Sequence, residues 1–107
     1  MSIGASWLVL VLAGLLEIAF AIGLKSGGGL ARPWVAAGTV LALLGSLALL
    51  SAALRQLPVG TAYAVWTGIG AAGTALLGMW LLGDPASFAR LICIGLILAG
   101  VVGLRLV

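Results

Sequence analysis

The chain contains no histidine, one cysteine and two acidic residues among its 107. Each scarcity excludes a class of function. With no histidine and only Cys93, there is no ligand cluster for a structural or catalytic metal, and no cofactor motif is present. A single cysteine forms no intrachain disulfide. Cys93 lies inside an apolar run, where its role is packing. Charged residues make up 7% of the chain, against about 25% in a soluble domain. So few charges do not cover the surface of a soluble fold of this size. The net charge of +3 has no clustered basic patch behind it, which argues against nucleic acid as a partner. No polar stretch is long enough to form a separate water-soluble domain.

What is present is hydrocarbon. The composition is 64% hydrophobic and the mean hydropathy is +1.40. A helix needs about 20 apolar residues to cross a bilayer, and four such runs fit, at about 3–24, 33–54, 59–82 and 86–107. They predict an all-α membrane protein of one four-helix domain. The first run has no basic segment before it and no small-residue cleavage site, so it is expected to be a retained span. Lys25-Ser26-Gly27-Gly28-Gly29 reads as a flexible basic turn, and Arg32-Pro33 opens the second helix. Arg55-Gln56-Leu57-Pro58 and Gly83-Asp84-Pro85 make the other turns. Arg90 and Arg105, near the ends of the fourth run, snorkel to opposite interfaces. Short turns make sequential helices antiparallel neighbours.

Glu17 is the only charge inside the first run. A carboxylate at that depth costs roughly 2.5–3.5 kcal/mol on insertion scales, and a lone ionisable group in a span is a functional-site candidate by default. Leu10, Gly14, Glu17, Ala21 and Leu24 follow the spacing of one helix face. Gly14 leaves space beside Glu17 for a ligand or for close helix approach, and Phe20, one turn away, is a candidate for the cavity wall or for the lipid face. In the second run, Ser46 beside Gly45 is expected either to bond its own backbone or to offer its hydroxyl to Glu17. Tyr63 and Trp66, three apart in the third run, share a face with Gly70. Gly68-Ile69-Gly70 predicts a mobile kink, with tight helix packing as the alternative. The fourth run has no acid, aromatic or hydroxyl in its core. Gly95, Gly100 and Val101 make it the candidate for contact between copies.

Topology follows from counting bases. Lys25, Arg32 and Arg90 fall on one side; Arg55 and Arg105 fall on the other. Orientation needs a clear Lys/Arg excess. Without one, the chain is expected to insert both ways and to pair as an antiparallel, dual-topology homodimer, which brings two glutamates to one cavity.

Gly14-Leu15-Leu16-Glu17 followed by Leu24-Lys25, the stretch Pro58–Gly70 and the glycine-bearing fourth run together resemble the small multidrug resistance (SMR) family of four-helix transporters. Pro58-Val59-Gly60-Thr61-Ala62-Tyr63-Ala64-Val65-Trp66-Thr67-Gly68-Ile69-Gly70 is similar to the guanidinium-exporter subtype. The resemblance implies a multi-pass transporter of the bacterial inner membrane that is not an enzyme. Its activity is proton-coupled export of guanidinium-like cations, with binding roles on Glu17, Ser46, Tyr63 and Trp66. A multidrug exporter of quaternary ammonium ions is the neighbouring reading, and a non-transport scaffold or assembly subunit is the reading from another class. That subtype usually carries tryptophan where this chain has Phe20. Phenylalanine has no N–H to offer Glu17, which leaves room for bulkier or less polar cations.

Overall fold

Each apolar run is bounded by residues that cap a helix or cannot continue one. In the computed structural model, which describes all 107 residues, α1 spans Ile3–Lys25 and starts at Ser2, whose hydroxyl accepts the Ala5 N–H at 3.1 Å. α2 spans Pro33–Ala53 with proline in its first turn. α3 spans Val59–Leu81 and follows Pro58. α4 spans Phe88–Leu106 and is capped by Ser87, which accepts the Arg90 N–H at 3.2 Å. All four are long and apolar enough to cross a membrane. α4 begins at Phe88 rather than near 86, because Pro85 and the Ser87 cap hold the chain extended up to that point.

The first turn is not loose. Ser26–Ala31 is a short 3-10 segment with Gly27, Gly28 and Gly29 at φ of 55°, 88° and 59°. L-residues with side chains rarely hold that region. Gly29 is buried, and a Cβ there would strike the Leu24 carbonyl. Three glycines let this turn fold back onto α1 and α2.

α1 is the centre of the bundle and packs against both α2 and α3. α2 and α3 barely touch, and the backbone of α4 rests on α3 alone. The result is a slab of 39 × 35 × 17 Å, with Ile94 the one buried residue of α4. Leu10, Ala13, Leu50, Ala53, Leu57, Ala62 and Val65 form the core near the second turn. The other large apolar side chains are mostly exposed, as the lipid-facing surface of a membrane bundle requires.

Lipid tails are as apolar as leucine, so association relies on close packing at small residues. Gly14 is one such place: a Cβ there would lie 2.7 Å from Ile69 Cγ2. Gly14 therefore seats α1 on α3 instead of lining a cavity. Gly68 meets Val101 in the same way, with a hypothetical Cβ 2.6 Å from Val101 Cγ2. α3 runs unbroken through Gly68, Ile69 and Gly70. Gly68 and Gly70 are points of close approach, to Val101 and to Glu17.

The two ends of the slab are tied by charge. At one end the Arg105 guanidinium stands 5.0 Å over the Trp7 ring. At the other, Lys25 Nζ lies 3.8 Å from Asp84 Oδ1. The first and third turns thus share one end, and the termini share the opposite one.

Candidate functional site

α1 carries Glu17 into an open cavity of about 450 Å³ between α1 and α3. Its lining is Glu17, Phe20 and Ala21 from α1, then Thr67, Gly70, Ala71, Thr74 and Ala75 from α3, and Asp84 from the turn beyond. Gly70 lets the carboxylate sit there, since a Cβ at position 70 would collide with Glu17 Oε1. No side-chain hydrogen bond in the chain reaches Glu17, and no basic group pairs with it. The Glu17 carboxylate is half-buried, unpaired and open to a cavity within a membrane span, which makes it the first candidate for a functional group in this chain.

Ser46, Trp66 and Tyr63 form a second group. Ser46 is fully buried. Its hydroxyl donates to the Ala13 carbonyl at 2.6 Å and accepts the Trp66 indole N–H at 2.9 Å. It bonds neither its own helix backbone nor Glu17, which corrects both expectations for this residue. The helix bond of the Ala13 carbonyl runs to the Glu17 N–H, so Ser46 acts on the backbone one turn before the carboxylate. Tyr63 stacks at a tilt on Trp66, with ring centroids 5.6 Å apart at 50°. Neither aromatic lines the cavity of its own Glu17, and Tyr63 is 56% exposed. Phe20 does line that cavity, and its ring has no hydrogen-bond donor.

On α4, Gly95 and Gly100 face open space. Val101 turns inward onto Gly68 and the core, so it is an intrachain contact and not a free surface for a second copy.

Three cavity residues carry polar groups that the sequence reading did not assign to the site: Thr67, Thr74 and Asp84. Thr67, Gly70 and Thr74 fall at i, i+3 and i+7, a stripe visible in the sequence at helical spacing. The Thr67 hydroxyl donates to the Tyr63 carbonyl at 2.6 Å, and its oxygen keeps its capacity to accept.

Residues 5–97 match the family model described as Small Multidrug Resistance protein. The chain is 55% identical over 101 residues to a guanidinium exporter of Yersinia pseudotuberculosis serotype I (strain IP32953), covering 94% of this chain and 97% of the relative. Guanidinium exporters of Citrobacter freundii and Salmonella typhimurium are 57% identical over 101 residues, covering 94% of this chain and 96% of theirs. An unpaired acid in the first of four bilayer-length helices, matched along nearly all of the sequence, makes this chain a multi-pass membrane protein of the small multidrug resistance family.

Proposed function

We propose that this protein exports guanidinium and substituted guanidinium ions across the bacterial inner membrane in exchange for protons, as an antiparallel, dual-topology homodimer. The observation that carries the reading is the Glu17 carboxylate, unpaired within a span and open to the cavity with Phe20, Thr67 and Thr74. Guanidinium is planar and donates paired hydrogen bonds to a carboxylate. A proton and the cation compete for the same oxygens, so loading one displaces the other. If the empty, deprotonated dimer reorients slowly, exchange is obligatory and the proton gradient drives export.

The dimer is supported by three features. The basic residues divide three to two between the ends, too evenly to fix one orientation. α4 exposes Gly95 and Gly100, and nothing in the chain covers either position. Tyr63 and Trp66 line no cavity with their own Glu17. A second, inverted copy brings each aromatic pair toward the other glutamate, a midplane site between inverted elements of the kind larger transporters build. There Trp66 offers a flat cation–π wall, and Tyr63 offers a hydroxyl.

One observation favours a wider substrate range. Phe20 gives the cavity an apolar, donor-free wall beside Glu17, which suits small quaternary ammonium ions as well. The deciding experiment is solid-supported-membrane electrophysiology on reconstituted protein with guanidinium, guanylurea and tetraalkylammonium ions. Saturable currents for guanidinium and guanylurea are expected from wild type, and none from Glu17→Gln. Currents of wild-type size from Glu17→Gln overturn the reading.

A further inference from the structure

We propose that Asp84 is an outer cation site of the Glu17 cavity, held by the Lys25 ammonium until an arriving guanidinium ion displaces it; this rests on the transport reading above. The two carboxylates of the chain both line one cavity. They are seated alike on α3. A Cβ at Gly70 would collide with the Glu17 carboxylate, and a Cβ at Gly78 would collide with the Asp84 carboxylate. Thr74 stands midway between those glycines and lines the same cavity. Gly70, Thr74 and Gly78 follow i, i+4 and i+8, one stripe of the helix. Eight residues put the two glycines about 12 Å apart along the axis. A polar track therefore runs from the cavity mouth to Glu17.

Asp84 is fixed over that mouth by its backbone. Its N–H donates to the Gly78 carbonyl at 3.1 Å, and Gly83 at φ 71° makes the reversal that permits it. This position is electrostatically unusual for an acid. α1 ends at Lys25 and α3 at Leu81, so the negative ends of two helix dipoles converge where Asp84 sits. The combined field draws cations and repels anions. The cation now in place is Lys25, and it holds loosely: Nζ is 3.8 Å from Oδ1, and the two side chains are 70% and 44% exposed. Exposed pairs of this kind are weak and screened by salt. Guanidinium is less strongly hydrated than an ammonium and can bond both carboxylate oxygens, so it competes well for Asp84. From there the Thr74 and Thr67 hydroxyls offer acceptor lone pairs on the way to Glu17. No covalent bond forms or breaks; one cation replaces another.

The test is guanidinium transport by the full chain in liposomes, comparing wild type, Asp84→Asn, Lys25→Gln and the double variant at low and high salt. Asp84→Asn is expected to raise KM about tenfold, within the range by which a charged cleft raises capture of a counter-ion, with a smaller change in maximal rate. KM in wild type should rise with salt more steeply than in Asp84→Asn. Lys25→Gln should lower KM when Asp84 is present and do so less in the double variant. Wild-type KM in Asp84→Asn overturns the inference, and so do strictly additive effects of the two substitutions. A flat wild-type signal overturns the transport reading and this inference with it. A saturable wild-type signal with unchanged KM in Asp84→Asn overturns this inference alone.

Discussion

The Trp66 indole N–H donates to Ser46 Oγ at 2.9 Å and joins α3 to α2, two helices that otherwise barely meet. The same hydroxyl reaches the Ala13 carbonyl on α1 at 2.6 Å. Three helices are thus pinned at one buried oxygen, one turn before Glu17. The network satisfies Trp66 and leaves the Glu17 carboxylate without a side-chain donor.

Replacing that oxygen should loosen the bundle. Ser46→Ala leaves the Trp66 N–H unsatisfied, at a cost of about 1–3 kcal/mol. The expected outcome is a lower melting temperature in detergent, with a weaker or altered guanidinium affinity. Unchanged melting and transport would show that the pin is dispensable.

Gly70→Ala places a methyl group where Glu17 Oε1 lies. The carboxylate must swing away, and transport should fall by at least about tenfold, the effect of roughly 1.4 kcal/mol. Gly60 has open space around it, so Gly60→Ala serves as the control with near-native transport. Equal rates for both variants would separate Glu17 from Gly70 in the working protein.

Glu17→Gln removes the group for which protons and cations compete. Wild type should bind guanidinium less well as pH falls, by at most about tenfold per pH unit for one displaced proton. The Gln variant should show neither coupled transport nor that pH dependence, while remaining dimeric on a sizing column. Binding measured by calorimetry across a pH series checks both.

Phe20→Trp restores an N–H donor on the cavity wall. A hydrogen bond to a charged group is worth roughly 1.5–3 kcal/mol, enough to shift selectivity about tenfold or more. Wild type should carry substituted guanidinium or small quaternary ammonium ions alongside guanidinium, and the Trp variant should carry a narrower set. A paired transport panel at one pH decides. An unchanged range in the variant would show that residue 20 does not touch the cargo.

Orientation should be mixed. With Cys93 replaced and a single cysteine placed in the second turn, an impermeant thiol reagent should label about half of the chains in intact cells, as expected when the positive-inside bias is absent. Labelling of nearly all chains or nearly none would contradict dual topology.

Which parts of this protein were legible in its sequence follows from what each depends on. Span number, span length and the lone acid at Glu17 depend only on local hydrophobicity and on the cost of a buried charge, and these can be summed along the chain. The proline that opens the second helix is local for the same reason, whereas the Ser2 and Ser87 caps emerge only in the structure. The partners of Ser46, the seating of Glu17 on Gly70, the approach of Gly14 to Ile69 and the meeting of Asp84 with Lys25 were not legible. A helix that is apolar all round has no polar stripe to tell which face turns inward. In lipid that choice is made by where small residues let backbones close. Only the packed bundle decided which glycine met which side chain, and through those contacts which groups came to share the Glu17 cavity.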